Sequence, residues 1–241
     1  MALIAVLGMG FTVWMAVEAV RRGQASGWLW IILLFGPLGA AVYFFAEYAE
    51  GLFQGPGLQA RKVTAAELRA AEADVRRLGN VATWTAYAAA LRGRRDLARA
   101  SDAARKALEY DPENLDARYE LGLALEAAGR GEEARSELER VVAANRSFDS
   151  DGALFALARA QRACGRDAEA RVCLEELAQR TARPEVLYEC AAVQARFGDR
   201  AAASENLHRI VAEAESVPDY LQRNVRPWVR KAKQALRKLG A

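Results

Sequence analysis

Histidine and cysteine are scarce in this chain, which limits the chemistry that it can carry. Among 241 residues there are one histidine, His208, and three cysteines, Cys164, Cys173 and Cys190. A lone histidine beside Leu207 on a predicted helix excludes sites built on histidine pairs and is a poor base for nucleophilic catalysis. The cysteines lack metal-ligand spacing, and their odd number fits a reducing compartment better than a disulfide framework. We therefore expect no metal, no cofactor and no enzymatic activity.

Charge is nearly absent from the amino-terminal segment. Residues 2–46 contain three charged side chains, namely Glu18, Arg21 and Arg22. They include two apolar runs, 2–20 and 28–46, separated by a short polar break. Nineteen helical residues span about 28 Å, close to the ~30 Å hydrocarbon core of a bilayer. The sequence predicts a transmembrane helical hairpin within residues 1–50.

Aromatic residues flank the second run, as interfacial belts do. They are Trp28 and Trp30 at its start and Tyr43 and Tyr48 at its end. A cleaved signal peptide is a poorer interpretation because no basic segment precedes the first run. A buried hairpin in a water-soluble domain stays open as an alternative.

The second run also resembles a known segment. Its tryptophans, Pro37-Leu38-Gly39 and Tyr43-Phe44, preceded by Arg21-Arg22, resemble the two-helix segment ahead of cardiolipin synthases and other phospholipase D-like proteins. The resemblance implies a membrane anchor. It implies no phospholipase activity, because the catalytic histidine–lysine–aspartate signature of that family is absent.

A Gly/Pro-punctuated linker over residues 51–62 separates this segment from a helical region. Thr64 and Glu67 have capping-box spacing, which predicts a capping helix within residues 63–80 that ends near Gly79-Asn80.

Beyond residue 80 the sequence repeats itself about every 34 residues. Four units begin near residues 81, 115, 151 and 184 and extend to residue 218. Each has a small residue at its eighth and twentieth positions; those at the eighth are Ala88, Gly122, Ala158 and Ala191. This pattern resembles the tetratricopeptide repeat, which implies an all-α solenoid of helix–turn–helix units. The closing proline occurs only in the first unit, and the eleventh position holds Gln161 and Gln194 in the last two.

The resemblance also implies a binding groove. In tetratricopeptide arrays, the second, fifth, ninth and twelfth positions of the first helix tend to line the concave surface. Carried over to this sequence, the groove comprises an aromatic row and neighbouring arginines: Tyr119, Phe155, Tyr188, Arg92, Arg159, Arg162 and Arg196. Aromatic and arginine side chains favour recognition, so we hypothesise an acidic–aromatic peptide ligand. Contacts with neighbouring helices are the alternative role for these residues.

Basic charge is concentrated at the carboxyl end. Residues 219–241 hold seven basic and one acidic residue, whereas residues 60–218 hold 25 basic and 27 acidic residues. Apolar residues recur there at helical spacing, which predicts a basic amphipathic capping helix. Its basic residues are Arg223, Arg226, Arg230, Lys231, Lys233, Arg237 and Lys238. They form either a solvated face or a surface for anionic lipid headgroups or an acidic partner; nucleic acid is not expected, since no aromatic platform accompanies them.

Together these features predict a membrane-anchored scaffold or adaptor of the bacterial cytoplasmic membrane, with a protein or peptide partner. A regulatory or assembly subunit of a membrane lipid or envelope enzyme, contacted through the hairpin, is the alternative. The loop arginines Arg21 and Arg22 favour repeats outside the cell, whereas the unpaired cysteines favour repeats inside. We expect the repeats to be cytoplasmic.

Overall fold

The computed structural model describes residues 63–216 and 219–240, and it describes side chains in these ranges except those of residues 216 and 219–223. The predicted hairpin at 1–50 and the linker at 51–62 lie outside the described residues. Among the described helices, none has both the length and the hydrophobicity required to cross a membrane.

All regular structure in the described residues is helical, and the helices are named here α1–α10 in chain order. They are α1 (Ala65–Leu78), α2 (Val81–Gly93), α3 (Leu97–Tyr110), α4 (Leu115–Ala127), α5 (Gly131–Ala144), α6 (Gly152–Ala163), α7 (Asp167–Arg180), α8 (Pro184–Arg196), α9 (Arg200–Ser216) and α10 (Asp219–Leu239).

The helices from α2 to α9 form four successive pairs, each joined by a short turn. Within each pair the two helices pack together, and each pair also packs on the next. Helix α1 packs on α2 at one end, while α10 packs on α9 and α8 at the other. The predicted all-α array of helix–turn–helix pairs is confirmed.

Local hydrogen bonds define where the first helices begin. The backbone N–H of Glu67 donates to Thr64 Oγ1 at 3.1 Å, and the N–H of Thr64 donates to Glu67 Oε2 at 2.7 Å, which completes a capping box. Gly79 ends α1 with a φ of 56°, a left-handed conformation that glycine adopts without steric cost. Asn80 then caps α2 by accepting from the N–H of Thr83.

Small side chains allow the two helices of a pair to approach closely. Ala88 and Ala100 are buried where α2 meets α3. In the second pair there is no room even for an alanine, because a Cβ atom on Gly122 of α4 would lie 2.7 Å from Leu138 Cγ of α5. Leu138 is itself fully buried and has little room to move.

The two glutamines that depart from the repeat pattern are buried and hydrogen-bonded. Gln194 donates to Glu175 Oε1 at 3.3 Å and accepts from Asn206 Nδ2 at 2.9 Å, so it joins α8 to α7 and α9. Gln161 donates to Glu169 Oε2 at 3.5 Å within the third pair. Hydrogen bonds thus replace apolar packing at these positions.

We expect Gly122→Val to lower the free energy of unfolding by about 2 kcal/mol, because the new side chain overpacks the α4–α5 contact. Chemical denaturation followed by circular dichroism measures the change. Ala212→Val, at an exposed position of α9, is the matched control and should cost only about 0.5 kcal/mol.

Combining Gly122→Val with Leu138→Ala should cost less than the sum of the two separate changes, since the valine can occupy the space that the shortened Leu138 side chain leaves. Additive effects would contradict this account of the helix contact.

Candidate protein-binding surface

The first member of the predicted aromatic row, Tyr119, lies at the junction between the second and third pairs. Its ring packs edge-on against Phe148 with centroids 5.3 Å apart, and its hydroxyl donates to Asp149 Oδ2 at 2.8 Å. Gly152 leaves room for this bond, because a Cβ atom there would lie 2.8 Å from the Tyr119 hydroxyl. Burial raises the pKa of Tyr119 above its usual range, and the Asp149 carboxylate adds to this.

The other two aromatic residues also contact elements beyond their own pair of helices. The Arg183 guanidinium, just before α8, lies 5.6 Å from the ring centroid of Phe155. Tyr188 packs against Trp228 of α10 with centroids 5.8 Å apart, and Lys231 lies over both rings. Each residue of the aromatic row therefore links its own pair of helices to a later part of the array.

The predicted groove arginines also connect consecutive pairs. Arg92 of α2 donates from Nε and Nη2 to the Glu120 carboxylate of α4, at 2.8 and 3.1 Å. Burial opposes the charge of Arg92, but the hydrogen bond to Glu120 raises its pKa. Arg159 of α6 donates to Glu126 of α4 at 2.7 Å.

A compact cluster of charges lies between the third and fourth pairs. Arg162 pairs with Glu189 of α8, and Arg196 Nη1 lies 2.8 Å from Asp167 Oδ2. Burial lowers the pKa of Arg162, which the nearby Asp167 partly offsets. All four predicted groove arginines are thus bound to carboxylates of the array itself.

An open groove of about 440 Å³ lies between the first helices of the first two pairs, α2 and α4. The α2 side consists of small residues: Val81, Ala82, Thr85, Ala86 and Ala89. The α4 side carries Tyr119, Glu120 and the exposed Asp116, which forms no ion pair within the described residues. Thr85 occupies the position at which the later pairs have an aromatic ring, so this junction stays open.

Of the residues that line this groove, the sequence predicts Tyr119 but neither the alanines of α2 nor Asp116. Alanine brings no recognition chemistry of its own, so it gives no signal in a sequence. The one available signal is the small residue at the fifth position of the first unit, in contrast to Tyr119, Phe155 and Tyr188.

Comparison with known proteins identifies the repeat. Residues 91–150 match the family model described as a tetratricopeptide repeat. The crystal structure of MamA is similar over 62% of this chain and 87% of its own, with a TM-score of 0.55 and 18% identity. The helices therefore form a tetratricopeptide-type array.

A Podosopora anserina protein described by its nearly identical TPR-like repeats matches 85% of this chain and 94% of its own, at 21% identity and a TM-score of 0.48. No curated protein matches the sequence. Tetratricopeptide domains are in general scaffolds for protein–protein interaction.

The cysteines and the histidine do not assemble into a site. Cys173 and Cys190 are buried in the tetratricopeptide-type array, and burial raises the pKa of Cys190 to about 12. His208 is exposed on α9. In residues 63–216 and 219–240, no group of histidine, cysteine and acidic side chains is arranged to bind a metal ion.

The predicted basic helix, α10, presents its cations to solvent. Those whose side chains are described are all exposed: Arg226, Arg230, Lys231, Lys233, Arg237 and Lys238. The side chain of Arg223 lies outside the described ones. Ala232 and Leu236 on the same helix are buried against the array. None of the six exposed cations forms an ion pair with a described residue.

We expect Arg92→Glu to lower the free energy of unfolding by about 1 to 2 kcal/mol, because two carboxylates would then face each other between α2 and α4. The charge swap Arg92→Glu with Glu120→Arg should restore most of the loss. Urea denaturation of the full chain measures both. Arg77→Glu, which removes an exposed pair with Asp74 within α1, is the control and should cost no more than about 0.5 kcal/mol.

An unchanged stability in Arg92→Glu would contradict this structural role and would leave Arg92 available to a ligand.

Proposed function

We propose that this protein is a scaffold that binds a segment of a partner protein in the groove between α2 and α4. The observation that carries the proposal is the opening at this junction, where Thr85 and alanines take the place of an aromatic side chain. The general role of tetratricopeptide domains in protein interaction supports it. No catalytic constellation accompanies the groove, so we propose a binding protein rather than an enzyme.

The chemistry of the groove favours a basic ligand. Asp116 is exposed and unpaired within the described residues, whereas both carboxylate oxygens of Glu120 already accept from Arg92. A lysine or arginine of the ligand can therefore pair with Asp116. The alanine surface of α2 admits aliphatic side chains beside it. We therefore propose an extended peptide with alternating basic and aliphatic residues. The acidic–aromatic ligand expected from the sequence would have to displace carboxylates already bound to the arginines.

We also propose that the scaffold holds its partner at the bacterial cytoplasmic membrane, with the repeats on the cytoplasmic side. Support for this part comes from the sequence alone: the two apolar runs 2–20 and 28–46, and the resemblance of the second run to a known membrane segment.

Panning a library of short random peptides against the full chain tests the groove. We expect enrichment of basic–aliphatic peptides, and we expect Asp116→Lys and Ala86→Arg to weaken their binding by about tenfold, which is ~1.4 kcal/mol. Both changes lie at exposed helix positions and should not disturb folding. Glu205→Lys, an equal charge change at an exposed position of α9, is the matched control and should bind normally.

Enrichment of acidic peptides, or equal losses in Asp116→Lys and Glu205→Lys, would contradict the proposed ligand chemistry.

Membrane fractionation tests the anchor. We expect the full chain to stay with membranes after extraction at high salt and high pH, and a chain lacking residues 1–50 to be released, because an inserted hairpin does not depend on screened charges. Release of the full chain would overturn this part of the proposal. Retention of the truncated chain would assign membrane binding to another segment.

A further inference from the structure

A second groove, of about 660 Å³, lies between α9 and α10. It is separate from the groove between α2 and α4. Helix α9 contributes Val211, Ala214 and Glu215 to its lining. Helix α10 contributes Val225 and Val229, together with Pro227 and three basic residues.

The groove borders α10, which has no following helix to pack against within the described residues. Each of α2, α4, α6 and α8 packs against the following helix of its own pair. Helix α10 packs on α9 and α8, as the first helix of another pair would, and the described residues include no following helix. Val225 and Val229 lie one turn apart on α10 and are only partly buried. No described residue therefore covers this apolar surface, which is of the kind that helices cover elsewhere in the array.

The wall of this groove is positively charged. Arg226, Arg230 and Lys233 follow one another at intervals of four and three residues, so they lie along one side of α10. All three are exposed, and none forms an ion pair with a described residue. The groove arginines of the array, such as Arg92 and Arg159, are by contrast bound to carboxylates. Glu215 is the one acidic residue in the described lining.

A helix fits this geometry better than a lipid surface does. A membrane-binding helix inserts its apolar face into the bilayer, but Ala232 and Leu236 of α10 are buried against the array. Trp228, which could anchor at an interface, packs against Tyr188 beneath Lys231. The apolar atoms that stay open lie inside a concavity between two helices, where side chains projecting from a third helix can enter.

We infer that the groove between α9 and α10 binds an acidic amphipathic helix of a partner protein. Two apolar side chains one turn apart on that helix enter between Val211 and the pair Val225 and Val229. Aspartate or glutamate residues beside them pair with Arg226, Arg230 and Lys233. Charge-assisted bonds to three unpaired cations give the site its preference for an acidic helix.

Fluorescence anisotropy with the full chain tests this inference. The probe is a labelled helical peptide with leucines one turn apart flanked by glutamates, and its control is a peptide of the same composition in scrambled order. We expect the ordered peptide to bind about tenfold more tightly than the scrambled one. Arg230→Glu and Val229→Asn should each weaken binding about tenfold.

The matched control is Lys238→Glu, which reverses an exposed cation of α10 that lines a different cleft, beside α8. It should leave binding of the ordered peptide unchanged. Circular dichroism checks that each variant is folded. Asp116→Lys should also leave this binding unchanged, so the outcome is independent of the groove between α2 and α4.

Several results would overturn the inference. They are an absence of peptide binding, equal binding of the ordered and scrambled peptides, and equal losses in Arg230→Glu and Lys238→Glu. Binding of a soluble short-chain phosphatidylglycerol without peptide binding, lost equally in both charge reversals, would assign the basic face to lipid headgroups instead.

Discussion

The close approach of the two helices in each pair is the constraint on which the rest of the array depends. It requires alanine or glycine at the contact, as at Ala88, Gly122 and Ala158. Such residues bury little apolar area, so a single pair is a weak unit. Stability must then come from contacts between pairs, as expected of a fold in which each repeat contacts only its neighbours.

Contacts between pairs use the side chains that would otherwise serve recognition. Tyr119 bonds to Asp149 in the turn before α6, and Arg92 bonds to Glu120 of the next first helix. An aromatic residue or arginine that lies on the groove side of a repeat is therefore not automatically available to bind a ligand. A binding surface opens where such a residue is missing, as at Thr85.

The helices could be predicted from the sequence because their signals are local. Thr64 and Glu67 are three residues apart, and the repeat period of small residues places the pairs. The candidate site was less predictable because its chemistry depends on distant partners. Arg92 and Glu120 are 28 residues apart, and nothing in the sequence around Arg92 identifies its carboxylate. Buried Arg118 is likewise bound to Glu137 of α5, 19 residues away, and its neighbours in the sequence do not indicate that partner.

Charge left over after internal pairing distinguishes the two open grooves. The groove between α2 and α4 presents Asp116, whereas that between α9 and α10 presents Arg226, Arg230 and Lys233. A basic ligand is attracted to the first groove and repelled by the second, and an acidic helix behaves in the opposite way. One array can therefore hold both proposed ligands at once. The two grooves are separate, and the charge of each ligand disfavours its binding in the groove of the other.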